Sequence, residues 1–246
     1  MNTIYKDLAD IYEAMYYTFI DYKEEYEYYN NIITRYNKKN VLEIGCGTGN
    51  LAGCFIKDKL DYIGLDFSDK MLSIAKSKTP NGRFIKGDMR DFKLHQSVES
   101  VIITGRSVSY LVKNMDVNLA MSSIYDNLKT KGILCFDFID ANEFIPLIAK
   151  EKKVIHEATH NDVKYVRKSI WNVNLEYAMD FRWDAVFYKE EENKLIKIGE
   201  DSSVVRAFTK NEIEIFLSIN GFRIIECIPR KAYAFSTYVV IAEKVN

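Results

Sequence analysis

Residues 41–50 read VLEIGCGTGN and residues 62–72 read YIGLDFSDKML, and these two stretches decide the fold. Val41, Leu42 and Ile44 make a short apolar run of the kind carried by buried strands, and Gly45, Gly47 and Gly49 let the backbone turn tightly and approach a ligand before a helix begins. Tyr62 to Leu65 reads as a second strand ending in Asp66, where a carboxylate accepts both hydroxyls of a ribose. A glycine turn followed by a strand-end acid is a ribose-binding arrangement.

Which nucleoside follows from the neighbours of the glycines. The dinucleotide fingerprint GxGxxG fits poorly, because Asn50 stands where its last glycine or alanine belongs, and no Gly-Lys-Ser/Thr ending is present to cradle a triphosphate. Glu43, two residues before the first glycine, is instead placed to attract a cationic ligand. S-adenosyl-L-methionine, a sulfonium bearing an ammonium, suits that charge.

E-I-G-C-G-T-G from Glu43, L-D-F-S-x-x-M-L from Leu65 and G-D-M-R-D-F from Gly87 to Phe92 together resemble the motifs of the class I S-adenosylmethionine-dependent methyltransferases, in family order over roughly residues 38 to 140. The resemblance implies a Rossmann-like α/β fold with a seven-stranded sheet. It also implies roles. Gly45, Cys46, Gly47 and Gly49 would form the turn under the methionine portion of the cofactor, with Glu43 near its ammonium. Asp66 would hold the ribose, and Phe67 and Met71 would flank the adenine. Asp88 would accept from the adenine amino group, the Met89 backbone would meet the ring edge, and Thr104, Gly105 and Arg106 would line the floor beside the sulfonium. The plain alternatives are a solvated turn acid or helix cap for Asp66 and an ordinary Gly-Asp turn for Asp88.

Composition narrows the partners. A chain of 246 residues suits one α/β domain with an embellishment, and Lys plus Arg at 34 against Asp plus Glu at 35 offers no polybasic surface for nucleic acid. Cys46, Cys54, Cys135 and Cys227 lie far apart without a C-x-x-C pair, so neither a structural metal site nor a redox motif is expected, and buried thiols in a reducing cytoplasm are. MNTIYKDLADIYEAMYY lacks the basic and apolar regions of a signal peptide, and no run of eighteen apolar residues occurs; a cytoplasmic protein without a membrane partner is expected.

Strand and helix patterns alternate from about residue 20 to 150, the signature of a parallel sheet covered on both faces. Expected helices include Tyr22 to Tyr36, Asp69 to Lys78 capped by Ser68, and Val117 to Leu128 closed by a KTKG turn; further strands are Arg83 to Lys86, Ser100 to Thr104 and Ile133 to Phe138. From Lys152 to Arg206 the pattern becomes period-two, broken by HND at 160–162 and KEEEN at 189–193, which predicts three or four inserted antiparallel strands. A helix Thr209 to Ile219 and strands Phe222 to Ile228 and Ser236 to Glu243 return to the core, and the resemblance makes the last two an antiparallel edge hairpin. The expected organisation is thus a cofactor-binding core with an N-terminal helical lid over 1–150, an inserted sheet over 151–206, and completing elements over 207–246.

Methyl transfer is in-line displacement without charge build-up, so holding the reactants collinear supplies most of the catalysis, worth about 7–11 kcal/mol, and a base is needed only for a protonated nucleophile. Candidate catalytic residues are Tyr12, in a Tyr5-to-Tyr12 segment that resembles a lid but whose Leu8, Ile11, Tyr12 and Met15 equally form a docking face; Arg106, which pairs with an acceptor anion or bridges the cleft mouth; and His156, which faces the cleft as a base or points away from it. His95 and His160 read as surface residues. Trp171, Trp183, Phe181 and Tyr177 in the insert serve sheet packing, an acceptor wall or a homodimer contact. The resemblance to bacterial amino-sugar and glycine N-methyltransferase-like enzymes implies a small-molecule acceptor, an amine first and a hydroxyl or carboxyl oxygen second. A module that binds the cofactor without turnover is the alternative of another class.

Overall fold

The computed structural model describes residues 9–149, 152–232 and 235–245. Helices α1 (Ala9–Tyr16) and α2 (Tyr22–Arg35) lead into β1 (Asn40–Ile44), and α3 (Ala52–Lys57), β2 (Asp61–Asp66), α4 (Asp69–Lys78), β3 (Arg83–Lys86), β4 (Val98–Ile103), α5 (Asn114–Asn127) and β5 (Leu128–Ile139) follow in alternation. After α6 (Ala141–Ile148) come β6 (Lys152–His160), β7 (Val163–Val173), β8 (Asp180–Glu191) and β9 (Lys194–Arg206), then α7 (Lys210–Ile219), β10 (Phe222–Ala232) and β11 (Phe235–Lys244).

Seven strands form one sheet in the order β10-β11-β5-β4-β1-β2-β3, in which β11 runs antiparallel to both its neighbours while β1 to β5 pair in parallel. The expected edge hairpin is therefore present. Because β1 is followed by β2 on one side and flanked by β4 on the other, the strand order reverses at β1, and a crevice opens at the carboxyl ends of β1 and β4.

Both faces of this sheet are covered. Leu42, Ile44, Val101, Ile103, Phe136 and Phe138 pack under α5 and α7, while Val41, Ile102, Cys135 and Ile241 face α2 and α3. Helix α2 presents Tyr26, Tyr29 and Ile33 at three- and four-residue spacing, and Asp21 caps it by accepting from Lys23 N and Glu24 N. Each such large apolar side chain contributes about 1.5–3 kcal/mol on burial.

Two local outcomes differ from the sequence expectations. The KTKG stretch does not simply close α5: β5 already begins at Leu128, and residues 129–132 bulge from the ladder, since Val98 pairs with Leu128 but Ser100 pairs with Ile133. Helix α6 was not expected; Asp140 caps it by accepting from Asn142 N, and Pro146 inside it obscures the helical pattern.

The insert is a separate four-stranded antiparallel sheet, β6-β7-β8-β9. Asn161-Asp162 and Glu192-Asn193 each adopt two successive left-handed conformations, giving two-residue hairpin turns at the two predicted breaks. Its inner face packs Trp171 and Phe181 on Phe144 and Ile148 of α6, and Ala158, Ala185 and Phe187 on Met15 of α1. Among the described residues no helix is long and apolar enough to cross a membrane.

Candidate active site

The crevice is roofed by α1 and the insert, enclosing a cavity of about 470 Å³. Its floor is the glycine turn, held down where Gly45 N and Cys46 N both donate to Leu65 O, at 2.8 and 3.1 Å. At Gly47 (φ +53°) a Cβ would meet nothing within 4 Å, so the backbone lies bare toward the cavity. Gly49 (φ +72°) is different: a Cβ there would lie 2.9 Å from Ala75 Cβ, so this glycine serves the contact between the turn and α4 and does not border the cavity.

Asp66, at the end of β2, borders the cavity and accepts from Gly47 N (2.9 Å) and Ser68 N (2.8 Å), one bond per oxygen. Burial raises its pKa despite these bonds. Each oxygen keeps a lone pair for a further donor. Glu43 stands behind the turn, fully buried, with its oxygens accepting from Tyr62 Oη (2.6 Å) and Thr104 Oγ1 (2.9 Å). Desolvation pushes its pKa up to about 7. Glu43, Cys46, Gly49 and Thr104 are thus supports beneath the cavity rather than part of its lining.

At the end of the cavity formed by the tips of β2 and β3, exposed Phe67 and buried Met71 flank the opening, and Ser68 caps α4 by accepting from Met71 N. Asp88 and Met89 line the same end. Arg90, which the sequence reading passed over, donates from Nε and Nη2 to Asp88 and from Nη1 to Asp116 at 3.1 Å, and it holds the Asp88 pKa below the usual carboxylate range. The signal was available in G-D-M-R-D-F, where Arg90 lies two residues after the acid.

The opposite end is aromatic. Tyr12 and Tyr16 of α1 approach each other with ring centroids 3.9 Å apart, and Phe19 lies 5.1 Å from the His156 ring. Helix α1 borders the cavity and also docks on its surroundings: Tyr12 and Tyr16 line the cavity, Met15 packs on the insert, and Glu13 accepts from Thr48 of the glycine turn and from Lys78 of α4. Tyr5 and Leu8 of the suggested lid segment lie outside the described residues. Arg106, in the left-handed conformation at φ +62°, borders the cavity, and its backbone N–H donates to Asp137 Oδ1 at 2.9 Å.

His156 also borders the cavity, but its Nδ1 accepts from Arg167 Nη2 at 2.9 Å. Burial, helped by that guanidinium, lowers its pKa to about 4. Since arginine only donates, the neutral ring carries its proton on Nε2 and presents a donor, which argues against a role as base. His95 is exposed in a loop and His160 ends a hairpin strand, both away from the cavity. Among the described residues no group of three potential metal ligands comes together.

One reversed strand between β10 and β5, and a glycine turn bridged to an acid at the tip of β2, give this chain the fold of the class I S-adenosylmethionine-dependent methyltransferases. Residues 41–132 match the methyltransferase domain family. A putative methyltransferase of Geobacillus is 35% identical over 107 residues, 42% of this chain and 43% of that protein, so the match spans less than half of that relative. A dTDP-3-amino-3,4,6-trideoxy-alpha-D-glucopyranose N,N-dimethyltransferase of Streptomyces venezuelae is 24% identical over 192 residues, covering 75% of this chain and 76% of its own. The crystal structure of an S-adenosylmethionine-dependent methyltransferase from Clostridium acetobutylicum shares the fold with a TM-score of 0.79 at 16% identity, over 99% of this chain and all of that one.

The residues present fit the cofactor. The bare backbone at Gly47 is a cradle that any Cβ would fill, the free lone pairs of Asp66 suit ribose hydroxyls, and the acidic Glu43 behind the turn suits a cation.

Proposed function

We propose that this protein transfers a methyl group from S-adenosylmethionine to the amine nitrogen of a small molecule. The observation that carries this reading is the aromatic end of the cavity, where Tyr12, Tyr16, Phe19 and Trp183 present rings; among the described residues the two lining carboxylates, Asp66 and Asp88, both sit at the opposite end. Ring faces attract the positive charge that an alkylated nitrogen acquires. The Streptomyces venezuelae relative, named as an N,N-dimethyltransferase, supports the same acceptor atom.

Bound S-adenosylmethionine supplies an electrophilic methyl carbon on a sulfonium. The chain's own part is positional: Asp66 and the Gly47 backbone fix the nucleoside end, Glu43 supplies negative charge beneath the turn, and α1 covers the cavity and keeps water out. With His156 held as a donor, the amine enters already neutral, its proton left to solvent.

Incubation with methyl-labelled cofactor and matched amines, alcohols, phenols and carboxylic acids tests the reading, with the labelled atom located by mass spectrometry. Label on nitrogen is expected. Turnover of oxygen acceptors alone would replace the amine, and tight cofactor binding without turnover across the panel would replace catalysis with a binding-only role.

A further inference from the structure

Methyl transfer as described above gives no task to Arg167, a charged group of the cavity wall. Arg167 of β7 is 4% exposed and borders the cavity, yet among the described residues it forms no salt bridge, and its Nε is buried without a hydrogen-bond partner. Among the described residues its one hydrogen bond to a side chain goes to the neutral ring of His156. Trp183 and Tyr16 lie with ring centroids 5.5 and 5.9 Å from its central carbon, offsetting some charge but accepting no hydrogen bond from its remaining N–H groups. Asp201 follows two residues along on the same sheet face, through the register Ser169–Ala185–Asp201; burial raises its pKa to about 6 although the charge of Arg167 lowers it, and no salt bridge joins the two. Ser169 Oγ, beside it on β7, is also buried without a partner.

A guanidinium cannot give up its proton, and burying one without an anion is expensive. Among the described residues no carboxylate pairs with it, which leaves room for an anion from outside the chain. Resting on the methyltransferase reading above, we propose that Arg167 receives an anionic group, a carboxylate or a phosphate, carried by the methyl acceptor itself, with the Nε2–H of His156 as a second donor. The planar fork of arginine matches either oxyanion. The acceptor then bears its nucleophile and its acid on one small skeleton: the nucleophile lies among the rings of α1, and the acid is anchored on the insert. Amino acids and phosphorylated amines are the two sources of this chemistry.

Trp171 and Trp183 are the two tryptophans of the protein and both line the cavity, so intrinsic fluorescence reads its contents directly. Protein saturated with S-adenosylhomocysteine is titrated with sodium acetate and with inorganic phosphate. A saturable change is expected in the wild type, at least tenfold weaker in Arg167→Met and partly kept in Arg167→Lys; the stronger of the two anions identifies the source. Calorimetric binding of S-adenosylhomocysteine, whose site is at the other end of the cavity, checks that both variants fold. In turnover, Arg167→Met should raise KM at least tenfold for acid-bearing acceptors and leave their neutral amides unchanged, with kcat little altered. Equal anion responses in wild type and Arg167→Met, or neutral amides turned over as well as the acids, overturn the proposal while methyl transfer stands. A wild type that ignores S-adenosylhomocysteine overturns both.

Discussion

Gly47 donates its backbone N–H to Oδ2 of Asp66 at 2.9 Å, so the glycine turn after β1 and the acid at the tip of β2 are one rigid unit. Asp66→Ala removes that brace together with two charge-assisted acceptors for ribose, each worth about 1.5–3 kcal/mol. Cofactor affinity, measured by calorimetry, should fall by roughly two orders of magnitude or more. Asp66→Asn should lie between the two.

The glycines divide by task. Gly49→Ala drives a Cβ to within 2.9 Å of Ala75 Cβ and should lower the melting temperature by several degrees, on the order of 1–3 kcal/mol of overpacking and backbone strain. Gly47→Ala meets no protein atom, so its cost should appear as lost cofactor affinity with a smaller change in melting temperature. Equal melting losses without an affinity difference would falsify this division.

Glu43 has its pKa raised to about 7 by burial. A folded-state value above the unfolded one means that its contribution to stability is fully present below the unfolded pKa of about 4.5 and is lost as pH rises through about 7. The melting temperature of Glu43→Gln protein should therefore depend less on pH across that window than the wild type does. A bound cation favours the carboxylate, so cofactor uptake by the wild type should release protons near neutral pH and weaken below it. Calorimetry in buffers of different ionisation enthalpy measures that release, and Glu43→Gln should abolish it.

Glu13 joins α1 to both Thr48 and Lys78, and Lys78 also donates to Asn50 Oδ1 at 2.6 Å. The pair is partly exposed, so its worth is about 0.2–1 kcal/mol. Glu13→Ala should weaken cofactor binding roughly two- to fivefold and speed proteolysis within α1. Addition of the cofactor should restore protection only in the wild type.

The parts of the fold that depend on local chemistry were readable in the sequence. Ser68 and Thr209 cap their helices as side chains three residues from their donors, and the two hairpin turns sit at polar breaks in period-two strands. Which glycine faces open space is not local: Gly49 lies against Ala75 of α4, whereas Gly47 has no neighbour where a Cβ would stand. Arg167 was equally silent, since an arginine on an alternating strand resembles any solvated one until the Arg167–His156 register brings the two side chains together across β6 and β7. Helix α6 was hidden by its internal proline.

Helix α1 leans on the insert through Met15 and apolar neighbours, but on the glycine turn through ions and hydroxyls. Dissolved electrolyte screens the second grip, while salting-out ions reinforce the first. Sulfate should therefore peel this segment from the nucleoside while pressing it onto the inserted strands, so that donor exchange quickens just as the acceptor compartment tightens.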